Sequence, residues 1–330
     1  MPYDGKIMRR ALTRFDADKQ RRAQQFLQRQ RKVFAEEPEL LQIEQELRST
    51  MSQIISSALQ RGTDPLPAIR VIRDRNLDLQ QRRAELLKSR GYPADYLEEK
   101  PRCSFCGDTG YRKGTVCSCL QSYYAREQIL ELSQLLDIGT QSFETFELDW
   151  YSDERGGRRY SPRETARHNF EVCRRYAEEF GTRSGNLLLF GAPGLGKTFL
   201  SACIARVVSE DGFSVVYDTA GHIFSQMEAA KFRRDEDETV EGDVSRYMNC
   251  DLLIMDDLGT EMVTTFVQSA LYQVVNGRLL SGKKTIINTN LSPDEIGCRY
   301  SPQVLSRIEG EYEILPFIGE DIRRLKREQH

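Results

Sequence analysis

The stretch NLLLFGAPGLGKTFLSACIARVV, residues 186–208, decides the fold. Its first five residues form a short apolar run of the length expected for a strand buried on both faces. Gly191 to Thr198 then reads G-x-x-x-x-G-K-T. Gly191, Gly194 and Gly196 allow backbone N–H groups to turn inward around phosphate oxygens. Lys197 is spaced to reach the β- and γ-phosphates of ATP, and Thr198 to offer its hydroxyl to Mg2+ at a helix N-terminus. TFLSACIARVV supplies that helix, so strand, phosphate loop and helix follow in the order the motif needs.

Downstream, apolar runs alternate with helical segments: SVVYD (214–218), DLLIMD (251–256), TIINTN (285–290) and EILPF (313–317). That rhythm predicts an α/β domain, a largely parallel sheet sandwiched by helices. Leu252 to Asp257 ends in two carboxylates. Asp256 is expected to hold Mg2+ opposite Thr198, directly or through water, and Asp257 to orient or deprotonate an attacking water. Ser161-Pro162-Arg163-Glu164 is a capping box with proline at the first helical position. A helix is therefore expected from there to about Phe180, stopped by Gly181, opening a domain at 161–330. The acidic run from Arg233 to Asp243 reads as a solvated loop.

Upstream, Cys103, Cys106, Cys117 and Cys119 have the spacing C-x2-C-x10-C-x-C, with Gly107, Gly110 and Gly114 in the loop. Two close pairs joined by a pliable loop suit four thiolates on one tetrahedral Zn2+, a closed and therefore structural site. The other cysteines, Cys173, Cys203, Cys250 and Cys298, are scattered and read as small packing residues. Residues 1–100 are charged and helical in pattern. Two apolar stripes, from Leu40 to Leu59 and from Ile69 to Leu87, suit helices that pack on each other or present a face to a partner. A further helix is expected from Tyr123 to Leu136. The division is then a helical N-terminal domain with a four-cysteine knuckle over 1–135, a linker over 136–160, and the P-loop domain.

With 330 residues, 39% apolar and 29% charged, the chain is an ordinary globular composition long enough for two domains. A net charge of -3 argues against coating duplex DNA by bulk electrostatics. No apolar run is long enough for a membrane span or a signal peptide, so a cytoplasmic protein without membrane contact is expected. In a reducing compartment, clustered cysteines favour metal over disulfide.

Taken together, the phosphate loop, LLIMDDLGTE, INTNLS, LSRI and GEDIRRLK resemble the AAA+ ATPases of the DnaC/DnaI helicase-loader family, with the IstB transposase helpers as close relatives. The resemblance covers about residues 140–330. It implies an AAA+ sandwich with little or no helical lid, and in the DnaI-like branch a helical zinc-binding module ahead of it. On this resemblance Asn290 matches the polar sensor at the end of the sheet, Arg307 the arginine finger offered to a neighbouring subunit, and Arg323 the second sensor, with Arg299 a rival finger. It further implies an ATPase, weak in the isolated protomer, that assembles as a homo-oligomer, binds single-stranded DNA and docks on the replicative hexameric DNA helicase through its N-terminal domain. Alternatives are an IstB-like transposase or phage accessory ATPase, or a non-hydrolysing adaptor switched by nucleotide.

Overall fold

The computed structural model describes residues 3–59, 66–135, 141–232 and 238–328. The chain divides into two compact units, one made of Met1–Arg14 with Lys113–His330, the other of Phe15–Arg112.

Three helices precede the knuckle: α1 (Gly5–Glu36), α2 (Pro38–Leu59) and α3 (Leu66–Ser89). Within Phe15–Arg112, Val33, Leu40, Leu87 and Leu97 form a small buried core with Phe34, Tyr92 and Tyr96 against it. Glu39 pairs with Arg82 and Glu46 with Arg75, both at 2.9 Å. The reversed order of those partners shows α2 and α3 to be antiparallel. The knuckle loop carries two two-residue strands, β1 (Tyr111–Arg112) and β2 (Thr115–Val116), and leads into α4 (Ser118–Leu135).

The larger unit is built on β3 (Asn186–Gly191), β4 (Val215–Thr219), β5 (Leu252–Leu258), β6 (Lys284–Thr289) and β7 (Tyr312–Phe317). They form one sheet in the order β4-β5-β6-β3-β7, every pair parallel. Successive side chains alternate between its faces. Leu187, Leu189, Ile254 and Ile286 pack with α5 (Pro162–Glu178) and α6 (Lys197–Glu210). Leu188, Leu253, Met255 and Ile287 pack with α7 (Ala220–Phe232), α9 (Thr265–Leu280) and α11 (Pro302–Glu311). Helix α10 (Pro293–Arg299) joins β6 to α11, and α12 (Ile322–Glu328) is the one described helix after β7. The architecture is the α/β sandwich with a parallel sheet that the sequence predicts.

The Ser161 box is present: Ser161 Oγ accepts from the Glu164 N–H and Glu164 accepts from the Ser161 N–H. Helix α5 ends at Glu178, two residues before the expected stop. One expectation is corrected. Of the acidic run 233–243, residues 233–237 lie outside the described residues, and from Glu238 the chain is not a loop but α8 (Glu238–Asn249). The reason lies just beyond the acidic run, where Val244, Tyr247 and Met248 fall at helical spacing and pack on the core. Arg278, fully buried, donates to the Tyr247, Cys250 and Lys284 carbonyls and to Thr285 Oγ1, tying α8, α9 and β6 together.

Candidate functional site

The phosphate loop connects β3 to α6. Gly191 has φ of 139° and Gly194 φ of 75°. A Cβ would strike the Phe317 carbonyl oxygen at the first and the Asp321 carboxylate at the second, so close approach as well as φ requires glycine at both. The Ile322 N–H donates to the Gly194 carbonyl at 3.0 Å, which docks the start of α12 on the loop. Above the loop opens a cavity of about 440 Å³.

Lys197, Thr198, Asp256, Asp257, Asn290 and Arg323 all line this cavity. Lys197 Nζ donates to the Gly191 and Ala192 carbonyls at 2.6 and 2.8 Å and to Asn290 Oδ1 at 2.9 Å. Burial, opposed by Asp256 and Asp257, pushes its ammonium down to about 8. Thr198 Oγ1 donates to Asp256 Oδ2 at 3.0 Å, and the Asp257 N–H to Asp256 Oδ1 at 2.9 Å. A hydroxyl and a buried carboxylate this close are an apt donor pair for Mg2+. Asp257 sits where the β5–β6 register shifts, at φ of 54° in the left-handed region, a conformation uncommon for a residue with a side chain. Asp257 is solvent-accessible, yet the cavity walls desolvate it enough, with the Asp256 charge adding, to push its carboxyl above the usual range.

The arginines separate. Arg323, on α12, faces the cavity of its own chain. Arg307 is exposed on α11 and is not among the lining residues. Arg299 donates to the Glu261 carbonyl at 2.9 Å, a local tie.

Sequence reading missed one wall of the cavity and one strand residue. Residues 141–151, read as part of a linker, carry two short 3-10 turns, Phe143–Thr145 and Leu148–Trp150. Phe146 packs on Phe170 of α5 and Phe199 of α6, and the Tyr151 hydroxyl donates to the Leu195 carbonyl of the phosphate loop at 2.9 Å. Lys326 of α12 lies 5.2 Å above the Trp150 ring and 3.5 Å from Glu147. The signal was available: four aromatic residues between 143 and 151 are dense for a linker. The strand residue is Tyr217, whose hydroxyl donates to Asp256 Oδ2 at 2.6 Å. A tyrosine inside an otherwise apolar parallel strand needs a polar partner, which was the hint in SVVYD.

In the knuckle, the sulfurs of Cys103, Cys106, Cys117 and Cys119 all lie within 4.8 Å of one another. A tetrahedral zinc with bonds of about 2.3 Å would set them about 3.8 Å apart, so the four thiols fit a four-thiolate zinc site. The Cys103 and Arg102 N–H groups donate to the Asp108 carboxylate at 2.9 and 3.0 Å, which shapes the first cysteine turn. The other four cysteines are not gathered: Cys173, Cys203 and Cys250 are buried and Cys298 is exposed.

Residues 172–329 match the family of IstB-like ATP binding proteins. The replicative helicase loader DnaC of Escherichia coli K12 is 30% identical over 138 residues, 41% of this chain and 55% of that protein. An uncharacterized protein of the same bacterium, YdaV, is 26% identical over 145 residues, 44% of this chain and 57% of that protein. The chain spans about half the length of the curated relatives it matches. The crystal structure of the DnaC helicase loader superposes with a TM-score of 0.43 at 19% identity, covering 53% of this chain and 98% of that one. Among the described residues no helix is long and apolar enough to cross a membrane.

Proposed function

We propose that the C-terminal half of this chain, which matches the IstB-like ATP binding proteins and is similar to DnaC, is an AAA+ ATP-binding domain, and that the protein is an ATP-dependent loader of a replicative hexameric DNA helicase. Its N-terminal helices and four-cysteine knuckle, within residues 1–135, bind the helicase. The AAA+ domain binds ATP and, in an assembly of subunits, single-stranded DNA. The observation that carries this reading is the convergence of Lys197, Thr198, Asp256, Asp257 and Asn290 on one cavity, with Arg323 facing it and Arg307 exposed outside it.

Each group then has a task. Lys197 neutralises the β- and γ-phosphates against the backbone N–H groups of the loop. Thr198 and Asp256 hold Mg2+, which supplies charge stabilisation at the phosphates. Asp257 orients the attacking water and accepts its proton, a role that its raised pKa favours. Asn290, bonded to Lys197, positions the γ-phosphate end of the site. Arg323 contacts the phosphates within the chain, and Arg307 reaches the site of a neighbouring subunit, so the isolated protomer turns ATP over slowly.

The decisive experiment is gel filtration of the full chain with the replicative helicase of its own host and ATP, beside ATPase assays across protein concentration. We expect a complex, and a specific activity that rises with concentration and falls at least tenfold in Arg307→Ala. Robust turnover independent of concentration and untouched by Arg307→Ala would overturn the shared-site mechanism, and no complex would overturn the loader assignment. The family match favours one second reading, an accessory ATPase for a transposase, which the absence of a helicase complex together with intact ATP binding would support.

A further inference from the structure

Asp256 is the best-satisfied carboxylate of the cavity. Its Oδ1 accepts from the Asp257 N–H, and its Oδ2 accepts from two hydroxyls, Thr198 at 3.0 Å and Tyr217 at 2.6 Å. A carboxylate has about four acceptor positions, so three are committed and the plane of the group is pinned. Thr198 ends the phosphate-loop motif in the first turn of α6. Tyr217 comes from a different element, the edge strand β4, and is a buried residue of the core that also lines the cavity.

Strand register puts it there. β4 and β5 pair in parallel with Thr219 opposite Asp256 and Tyr217 opposite Ile254. Residues two apart share a face, so Tyr217 is on the Asp256 side of the sheet, and its long ring spans the offset to the carboxylate. The next residue, Asp218, faces the other way and accepts from the Tyr247 hydroxyl at 2.6 Å, with Arg246 at 3.4 Å. β4 is thus held on both faces at the level of the site.

We propose that Tyr217 is a positioning residue for the divalent cation: its hydroxyl fixes the orientation of the Asp256 carboxylate against the Thr198 hydroxyl, and so sets the Mg2+ requirement for tight nucleotide binding. The proposal rests on the assignment of Thr198 and Asp256 to Mg2+ made above. It assigns Tyr217 no contact with substrate and no proton transfer.

The test reads binding rather than turnover. A fluorescent ATP analogue is titrated into the full-length protein at a series of Mg2+ concentrations, and again with EDTA. Tyr217→Phe keeps the ring and removes the hydroxyl. Loss of a hydrogen bond to a buried charge predicts a rise of about tenfold or more in the Mg2+ concentration at half-effect. Affinity in EDTA should stay within about twofold, since the phosphate loop is untouched. In an Asp256→Asn background, the same substitution should leave the remaining Mg2+ dependence unchanged, because the group it orients is gone. A Tyr217→Phe protein that melts earlier but keeps the wild-type Mg2+ midpoint would reduce Tyr217 to packing and overturn the proposal. So would an equal shift in the Asp256→Asn background. If Asp256→Asn alone leaves the Mg2+ dependence intact, the cation assignment itself fails, which separates that error from one about Tyr217. Should Tyr217→Phe not fold, Tyr217→Met fills much of the same space with no hydrogen-bond donor, and the same shift is expected.

Discussion

Lys197 is where burial and function oppose each other most directly. An ammonium pressed into the loop loses hydration, and the three oxygens around it do not restore its ordinary proton affinity, so it titrates near 8. The unfolded chain keeps this proton to about 10.4. Between those values the unfolded state binds more protons, so this group's unfavourable contribution to folding is present below 8 and is relieved as pH rises toward 10.4. Nucleotide binding responds in the opposite sense, because the phosphates need the charged form. Affinity is therefore expected to fall about tenfold between pH 7 and pH 9, as the protonated fraction falls around a pKa near 8. Lys197→Arg, charged at every such pH, should bind more weakly at pH 7 and show a flat profile in the same titration. A flat wild-type profile would mean that Lys197 keeps its proton throughout. The roles of Lys197 and Thr198 were legible from their spacing alone, since the motif is local. Tyr217 was not, because its partner lies on another strand and only pairing register joins them.

Among the elements, α5 shows how far local sequence reaches. Its start was readable because the Ser161–Glu164 box closes within four residues. Ser161→Ala removes the side-chain acceptor for the Glu164 N–H and is expected to cost about 1 kcal/mol. For a unit of this size that lowers the melting temperature by about 2–4 °C in thermal denaturation. No change would show that the reciprocal Glu164 bond suffices. Helix α8 and the 141–151 strap show the limit of local reading. Acidic composition suggested a loop where Val244, Tyr247 and Met248 bring a helix onto the core, and the change to polar, glycine-bearing sequence suggested a linker where Phe143, Phe146 and Tyr151 pack on α5, α6 and the phosphate loop. In both places burial of a few apolar side chains outweighs what average composition indicates.

At the scale of the whole molecule, the knuckle makes a separable prediction. The purified protein should carry one zinc per chain by elemental analysis, and Cys103→Ser should lose it, because three thiolates do not close the tetrahedron. Nucleotide affinity should change by less than about twofold, since none of the four cysteines lines the nucleotide cavity. Zinc retained at full occupancy in Cys103→Ser would show that Cys103 is not a ligand. Amino-acid order by itself determined the parallel sandwich, the phosphate loop, the Asp256–Asp257 pair and the four-cysteine knuckle, because each is written in residues close together whose spacing is their geometry. Only the tertiary structure decided that Asn290 bonds Lys197, that Lys326 closes over Trp150, that Arg307 lies outside the cavity and that Tyr217 holds Asp256. Those relations depend on strand order, register and the return of α12 to the loop. Such placements follow from packing the core as a whole rather than from any one segment.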